Sequence, residues 1–174
     1  MGCIQLTQRG PHAGLPLPAF EALGHFTALL GNADPNLAME AHTLCLRLGL
    51  DPQAAASALA CHREISGEAL PGPRLLELLR DMGQGGELGQ GSARYAARQG
   101  RPELSMSVKG LDLPPCDPRG AYGMALGYAT ATRGGCHLRA LAFSHEILRK
   151  PVATDRFRFS GKARMLESGE DAVA

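Results

Sequence analysis

Tryptophan is absent from this chain, and aromatic residues fill only 5% of its 174 positions. A core without large rings has to be built from Leu and Ala, which favours helices over sheet. Charge of one sign is equally scarce. Eighteen Lys and Arg stand against 17 Asp and Glu, a formal net charge of +1. That balance argues against a dedicated nucleic-acid or membrane-surface role. No apolar run approaches the length that crosses a bilayer. The opening M-G-C-I-Q-L-T-Q-R-G has no basic start followed by an apolar core, so it does not read as a signal peptide. Met1-Gly2 opens like a myristoylation site, but Thr7 falls one place late for it. Five cysteines without close pairing read as reduced thiols in a cytoplasm rather than as a disulfide framework.

What is present is helical patterning broken by Gly and Pro. The length suits one domain or two small sub-lobes, 1–100 and 101–174, able to bury roughly 70% of the unfolded surface. Residues 1–19 carry three prolines and three glycines and read as irregular. Phe20, Leu23, Phe26, Leu29 and Leu30 predict a short helix from Ala19 to Leu30, stopped by Gly31. Asp34 and Pro35 open a second helix, whose stripe of Leu37, Ala41, Leu44, Cys45 and Leu48 ends at Gly49. Asp51-Pro52 repeats that start and opens an Ala-rich helix to about Arg63. Gly49, Leu50 and Asp51 thus form a tight elbow. A further helix begins at Pro73 and faces Leu75, Leu76, Leu78, Leu79 and Met82 inward. The Gly-rich stretch 83–91 lacks the last glycine of a dinucleotide loop and has no strand before it, so it reads as a flexible link. A short helix over Ser92–Arg98 follows. The segment Leu104–Leu113 alternates weakly and is at most a short strand, interrupted by Gly110. Another helix is expected from about Cys136 to Leu148, terminated by Pro151. The tail from Ser160 is polar, without a cap or packing signal.

The stretch Val108–Ala140 is unlike the rest. Pro114, Pro115 and Pro118 forbid regular structure at its start. Small residues dominate from Gly120 onward, while Arg119, Arg133, His137 and Arg139 recur as potential donors to anions. A segment that is small-faced and rich in donors usually lines a ligand. His137 beside Cys136 and between two arginines is the sharpest candidate. From the residues alone it reads either as functional or as a hydrogen-bonded histidine at a helix start.

Three motifs here stand in register: K-G-x-x-x-P-x-x-D-P-R from Lys109, G-x-x-L-x-Y-A-T from Gly123, and R-G-x-C-H-L-R from Arg133. Together they resemble the central signature of the aldehyde ferredoxin oxidoreductases, the tungstopterin enzymes. The resemblance implies a mostly α fold, an irregular multi-helix assembly like the helical domains of that family. It implies oxidation of aldehydes to carboxylic acids at a tungsten (or molybdenum) bis-pterin, with electrons passing through a [4Fe–4S] cluster to ferredoxin.

The same resemblance assigns roles to residues. His137 would hydrogen-bond or protonate the substrate oxygen. Glu21, in L-P-A-F-E-A-L, would accept a proton beside the metal, although a Glu at a helix start also reads as a solvated, dipole-favoured residue. Gly49, Leu50 and Asp51 resemble a D-x-x-G-L-D pterin loop with its leading Asp replaced by Leu46, while a plain capped turn explains Gly49 and Asp51 equally well. Arg133 and Arg139 would help to hold pterin. Cys116 stands where the family has Tyr. Cys3 takes the place of the third cluster cysteine, with its partners expected before Met1 and beyond Ala174, since such a cluster takes four ligands. Cys45, Cys61 and Cys136 lack metal-ligand spacing and read as core thiols. The alternative to a redox enzyme is a catalytically inactive fragment, or a helical subunit completed by a separate N-terminal domain or polypeptide.

Overall fold

The computed structural model describes residues 5–139 and 141–173, and the chain divides into two units, Met1–Met106 and Ser107–Ala174. In the first unit, α1 (Phe20–Gly24) widens into a π-helical turn, His25–Leu29. It is followed by α2 (Pro35–Leu48), α3 (Pro52–Ser66), α4 (Gly72–Gly83) and α5 (Ser92–Arg98). Helix ends follow the predicted chemistry. Asp34 accepts from the Asn36 amide at 2.9 Å, and Asp51 accepts from the Ala54 amide at 2.7 Å. Each supplies a lone pair to one of the amides that a helix start leaves unbonded. Gly49 closes α2 at φ 70°, where a side chain would be strained.

The core of this unit is aliphatic. Phe26, Leu59, Leu75, Leu79 and Cys45 are fully buried, and α3 packs on α5 while α2 packs on α4. The alanines of α3 let its neighbours approach closely. Polar bonds tie the layers. Tyr95 on α5 meets His62 Nδ1 at 2.8 Å, His62 Nε2 meets Glu68 at 3.0 Å, and Arg74 donates to Glu68 at 2.7 Å. The Arg74 bond, then the His62 bond, holds the Glu68 carboxyl below its ordinary range. The expected link 83–91 is present, with a 3₁₀ turn at Glu87–Gln90 that buries Leu88.

In the second unit, β1 (Ser107–Val108) and β2 (Leu111–Asp112) form an antiparallel hairpin with Val108 opposite Leu111. The expected strand is therefore folded back on itself. Lys109 (φ 53°) and Gly110 (φ 77°) make the turn, both left-handed as a type I′ hairpin requires. Then come α6 (Tyr122–Thr130), α7 (Ala142–Glu146) and α8 (Lys162–Val173), with α6 packed against both others. Ala121, Met124, Tyr128, Ala142 and Leu166 form the core. The fold is mostly α, as the composition implied. Among the described residues no helix is long and apolar enough to cross a membrane.

Two expectations are corrected here. The helix predicted over 136–148 forms only at Ala142–Glu146, because Leu141 is left-handed (φ 48°) and the backbone before it is bonded to the hairpin. The tail is not featureless. Residues from Lys162 form α8, which buries Leu166 and, unusually, Lys162 itself. A buried lysine reads as a polar surface position in sequence, so the packing signal was hidden.

Candidate functional site

The small-residue stretch earns its composition by close packing. The Lys109 ammonium donates to the Ala131 carbonyl at 2.8 Å, and the Gly135 amide donates to the Val108 carbonyl at 3.2 Å. A Cβ on Gly134 would lie 2.3 Å from the Val108 carbonyl oxygen, and one on Gly135 would lie 2.7 Å from that of Leu111. Only glycine fits at either place. The segment Arg133–Cys136 is thus laid flat on the hairpin, and Cys136 N donates to Gly134 O at 2.7 Å. Immediately after this anchor stands His137, half-buried, its ring 6.1 Å from that of Phe143. Arg133 and Arg139 flank it, both exposed. In sequence the imidazole stands between two exposed arginines, on a backbone fixed at its amino-terminal side.

Arg119 takes no part in that display. Its guanidinium makes a forked pair with Asp117, with Nε 3.0 Å from each carboxylate oxygen and Nη2 2.6 Å from Oδ2. The pair holds the Asp117 carboxyl below its usual range. The D-P-R motif is therefore a turn with its own internal ion pair. Cys116 is half-buried, and its carbonyl accepts from the Tyr128 hydroxyl at 3.0 Å. Burial pushes the Tyr128 phenol up, so it remains a donor.

The other predicted residues lie in the first unit. Glu21 is half-buried on α1, a helix that packs against α2 and α3, and its carbonyl meets His25 Nδ1 at 2.8 Å. Gly49 and Asp51 are exposed at the elbow between α2 and α3, with Leu50 half-buried and its amide donating to Cys45 O at 2.9 Å. Asp51 bonds Ala54, so the capped-turn reading holds locally. Glu21 and the elbow thus belong to one unit, and Arg133, His137 and Arg139 to the other. Cys3 lies outside the described residues. Cys45, Cys61 and Cys136 are buried free thiols, in keeping with their reading as core residues. Burial, reinforced by the charge of Asp51, pushes the Cys45 thiol up to about 12.

One pair escaped the sequence entirely. The Glu146 carboxylate accepts from the Gly123 amide at 2.8 Å and the Met124 amide at 3.2 Å, at the amino end of α6. Lys162 pairs with it, and both side chains are almost completely shielded from water. Lys162 also donates to the Asp155 carbonyl at 2.8 Å. The only signal available was negative: neither Ala121 nor Tyr122 can cap a helix, so the cap had to come from elsewhere.

The family described as aldehyde ferredoxin oxidoreductase, domains 2 and 3, matches residues 1–174. A tungsten-containing aldehyde ferredoxin oxidoreductase of Pyrococcus furiosus is 37% identical over 177 residues, covering 90% of this chain. One from Thermococcus kodakarensis is 36% identical over 179 residues, again across 90% of the chain. One from Pyrococcus abyssi is 43% identical over 93 residues, 53% of this chain and 15% of that relative. This chain spans 29% of the length of the first two.

Proposed function

The chain belongs to the aldehyde ferredoxin oxidoreductase family, and from that premise we propose that it is part of a cytoplasmic enzyme oxidising aldehydes to carboxylic acids. The observation that carries the reading is the Arg133–Arg139 segment. A glycine pair welded to a hairpin anchors the short segment that carries one imidazole and two cations.

The residues suit a pterin. Gly49 and Asp51 are exposed at a helix junction, and a carboxylate that already holds one amide keeps acceptor capacity for ring N–H groups. In the other unit, and independently, Arg133 and Arg139 offer planar donors suited to a pterin's polar edge or phosphate. When bound, a tungsten or molybdenum bis-pterin supplies the redox chemistry. On the family resemblance, His137 would hold a proton toward a substrate carbonyl oxygen, and Glu21, a residue of the other unit, would separately serve as a proton acceptor. Among the described residues no three His, Cys, Asp or Glu side chains gather as metal ligands. Cys3 is proposed as one [4Fe–4S] cluster ligand and ferredoxin as the electron acceptor on the family resemblance alone.

A second reading, a helical scaffold without catalysis, draws on Leu46 and Cys116, which replace an Asp and a Tyr of the family pattern. Co-expression of this chain with a polypeptide supplying the remaining family domains separates the two. The redox reading expects tungsten or molybdenum in the purified complex and viologen-linked aldehyde oxidation, with His137→Ala losing at least ~100-fold in kcat, the span of a general acid. A metal-free, inactive complex would leave the scaffold.

A further inference from the structure

Apart from the residues above, the second unit contains an open cleft of about 530 Å³, within the size range of small-molecule sites. Its walls include Ile147, Arg149, Thr154, Asp155, Arg156 and Phe157. Between residues 146 and 158 the chain carries four cations, Arg149, Lys150, Arg156 and Arg158, against two carboxylates, Glu146 and Asp155. Both carboxylates are already engaged. Glu146 is held by Lys162 and two α6 amides. Asp155 accepts from the Phe157 amide at 2.9 Å and lies 3.4 Å from Arg158. The lining itself carries two carboxylates and two guanidiniums. Because Lys162 and Arg158 engage the carboxylates from outside it, Arg149 and Arg156, which have no ion-pair partner among the described residues, remain as its unengaged charges.

The loop that forms it is fixed in place. The Thr154 amide donates to His145 O at 3.1 Å, and the Lys150 amide donates to Ser144 O at 2.9 Å. The His145 ring meets Val152 O at 3.0 Å, and the Tyr122 amide donates to Arg156 O at 2.8 Å. Lys162 holds the Asp155 carbonyl from inside. One wall carries an aromatic ring. Phe157 packs edge-on to Tyr122, with ring centroids 5.9 Å apart, and the Arg156 guanidinium lies 4.7 Å from the Phe157 centroid. Phe157 and Ile147 each remain about half exposed.

We propose that this cleft binds a small organic oxyanion, a carboxylate or phosphate ester carried on a flat apolar body, with Arg149 and Arg156 on the anion and Phe157 and Ile147 against the body. Guanidinium forks match the planar oxygen pair of such groups, and a half-exposed ring gives the body a surface to cover. The inference does not depend on the redox reading, because none of the residues proposed for catalysis lines the cleft.

The test titrates the full 174-residue chain, followed by the amide resonances of Thr154 and Phe157, with benzoate, phenyl phosphate, inorganic phosphate and neutral benzamide. Benzoate or phenyl phosphate should saturate, weakening as salt rises. Benzamide and inorganic phosphate should each bind at least ~10-fold more weakly, about 1.4 kcal/mol. Arg149→Gln and Arg156→Gln should each weaken binding ~10-fold, while Arg98→Gln in the first unit changes nothing. Should Arg149→Gln disturb resonances elsewhere, Arg149→Lys keeps the charge and loses the fork, and should still weaken binding. No saturation, equal binding of benzamide, or indifference to both arginine substitutions overturns the site. Equal binding of inorganic phosphate overturns the apolar half of the assignment.

Discussion

Replacing Glu146 by Ala should be among the most damaging single changes in the second unit. The substitution removes the acceptor for two α6 amides and strands the Lys162 ammonium in a place water barely reaches. Breaking a buried ion pair from one side costs about 3–5 kcal/mol, because the remaining charge keeps its desolvation penalty and loses its partner. Lys162 retains only the Asp155 carbonyl, a neutral acceptor. Against a total domain stability of about 5–15 kcal/mol, that loss should unfold much of the unit. Hydrogen exchange at the Gly123 and Met124 amides reports the cap directly, and urea unfolding gives the free energy. Pairing the change with Lys162→Met completes a double-mutant cycle. Glu146→Ala with Lys162→Met leaves no lone charge, although the two α6 amides stay without their acceptor, so it should recover part of the loss and the two singles should be strongly non-additive. A Glu146→Ala protein that loses less than about 1 kcal/mol and keeps both amides protected would refute the reasoning. So would simple additivity across the cycle.

Gly134→Ala should cost at least ~2 kcal/mol, combining left-handed strain (φ 104°) with a Cβ 2.3 Å from the Val108 carbonyl; thermal melting of the purified variant checks it, and a melting point unchanged from the parent would contradict the close-packed hairpin. Asp51→Ala should cost ~1 kcal/mol through the lost cap on Ala54, measured by urea titration, with Asp51→Asn close to the parent. His42 is buried on α2, its Nδ1 has no partner among the described residues, and burial holds its pKa below the ordinary 6.5. The unfolded chain therefore binds a proton that the folded chain resists, so stability is complete above 6.5 and falls as pH drops toward the folded value. Unfolding curves from pH 7.5 to 5 should show that slope, and His42→Leu should flatten it; an unchanged slope assigns the acid sensitivity to other groups.

Legibility followed locality. Asp34-Pro35 and Asp51-Pro52 each set φ and supply a lone pair within three residues, so α2 and α3 could be read from short windows. The same holds for the leucine stripe of α4, buried on one face. The α6 helix could not be read that way. Gly123 and Gly127 depress its propensity, and its cap is 23 residues away in sequence at Glu146. Gly123 itself is required because a Cβ there would sit 2.8 Å from the Glu146 carboxyl carbon. Of the candidate site, the Arg133–Arg139 motif was visible as a pattern. Its reason, two glycines pressed on carbonyls of a hairpin more than 20 residues earlier, belongs to tertiary contact alone. The expected helix over 136–148 failed for the same cause: the bonds to the hairpin outweighed local helical periodicity.

The borrowed cap on α6 also sets an order of events during synthesis. While the chain emerges from the ribosome, α6 has two glycines, nine residues and no acceptor for its first amides, which is too little to persist alone. Its acceptor appears only when Glu146 emerges, and the charge on that acceptor is balanced only when Lys162 follows. A nascent chain with Glu146 outside the exit tunnel and Lys162 still inside it would hold a unit whose carboxylate has no counter-ion. Commitment of residues 107–173 to their fold is accordingly placed near the end of translation of this stretch.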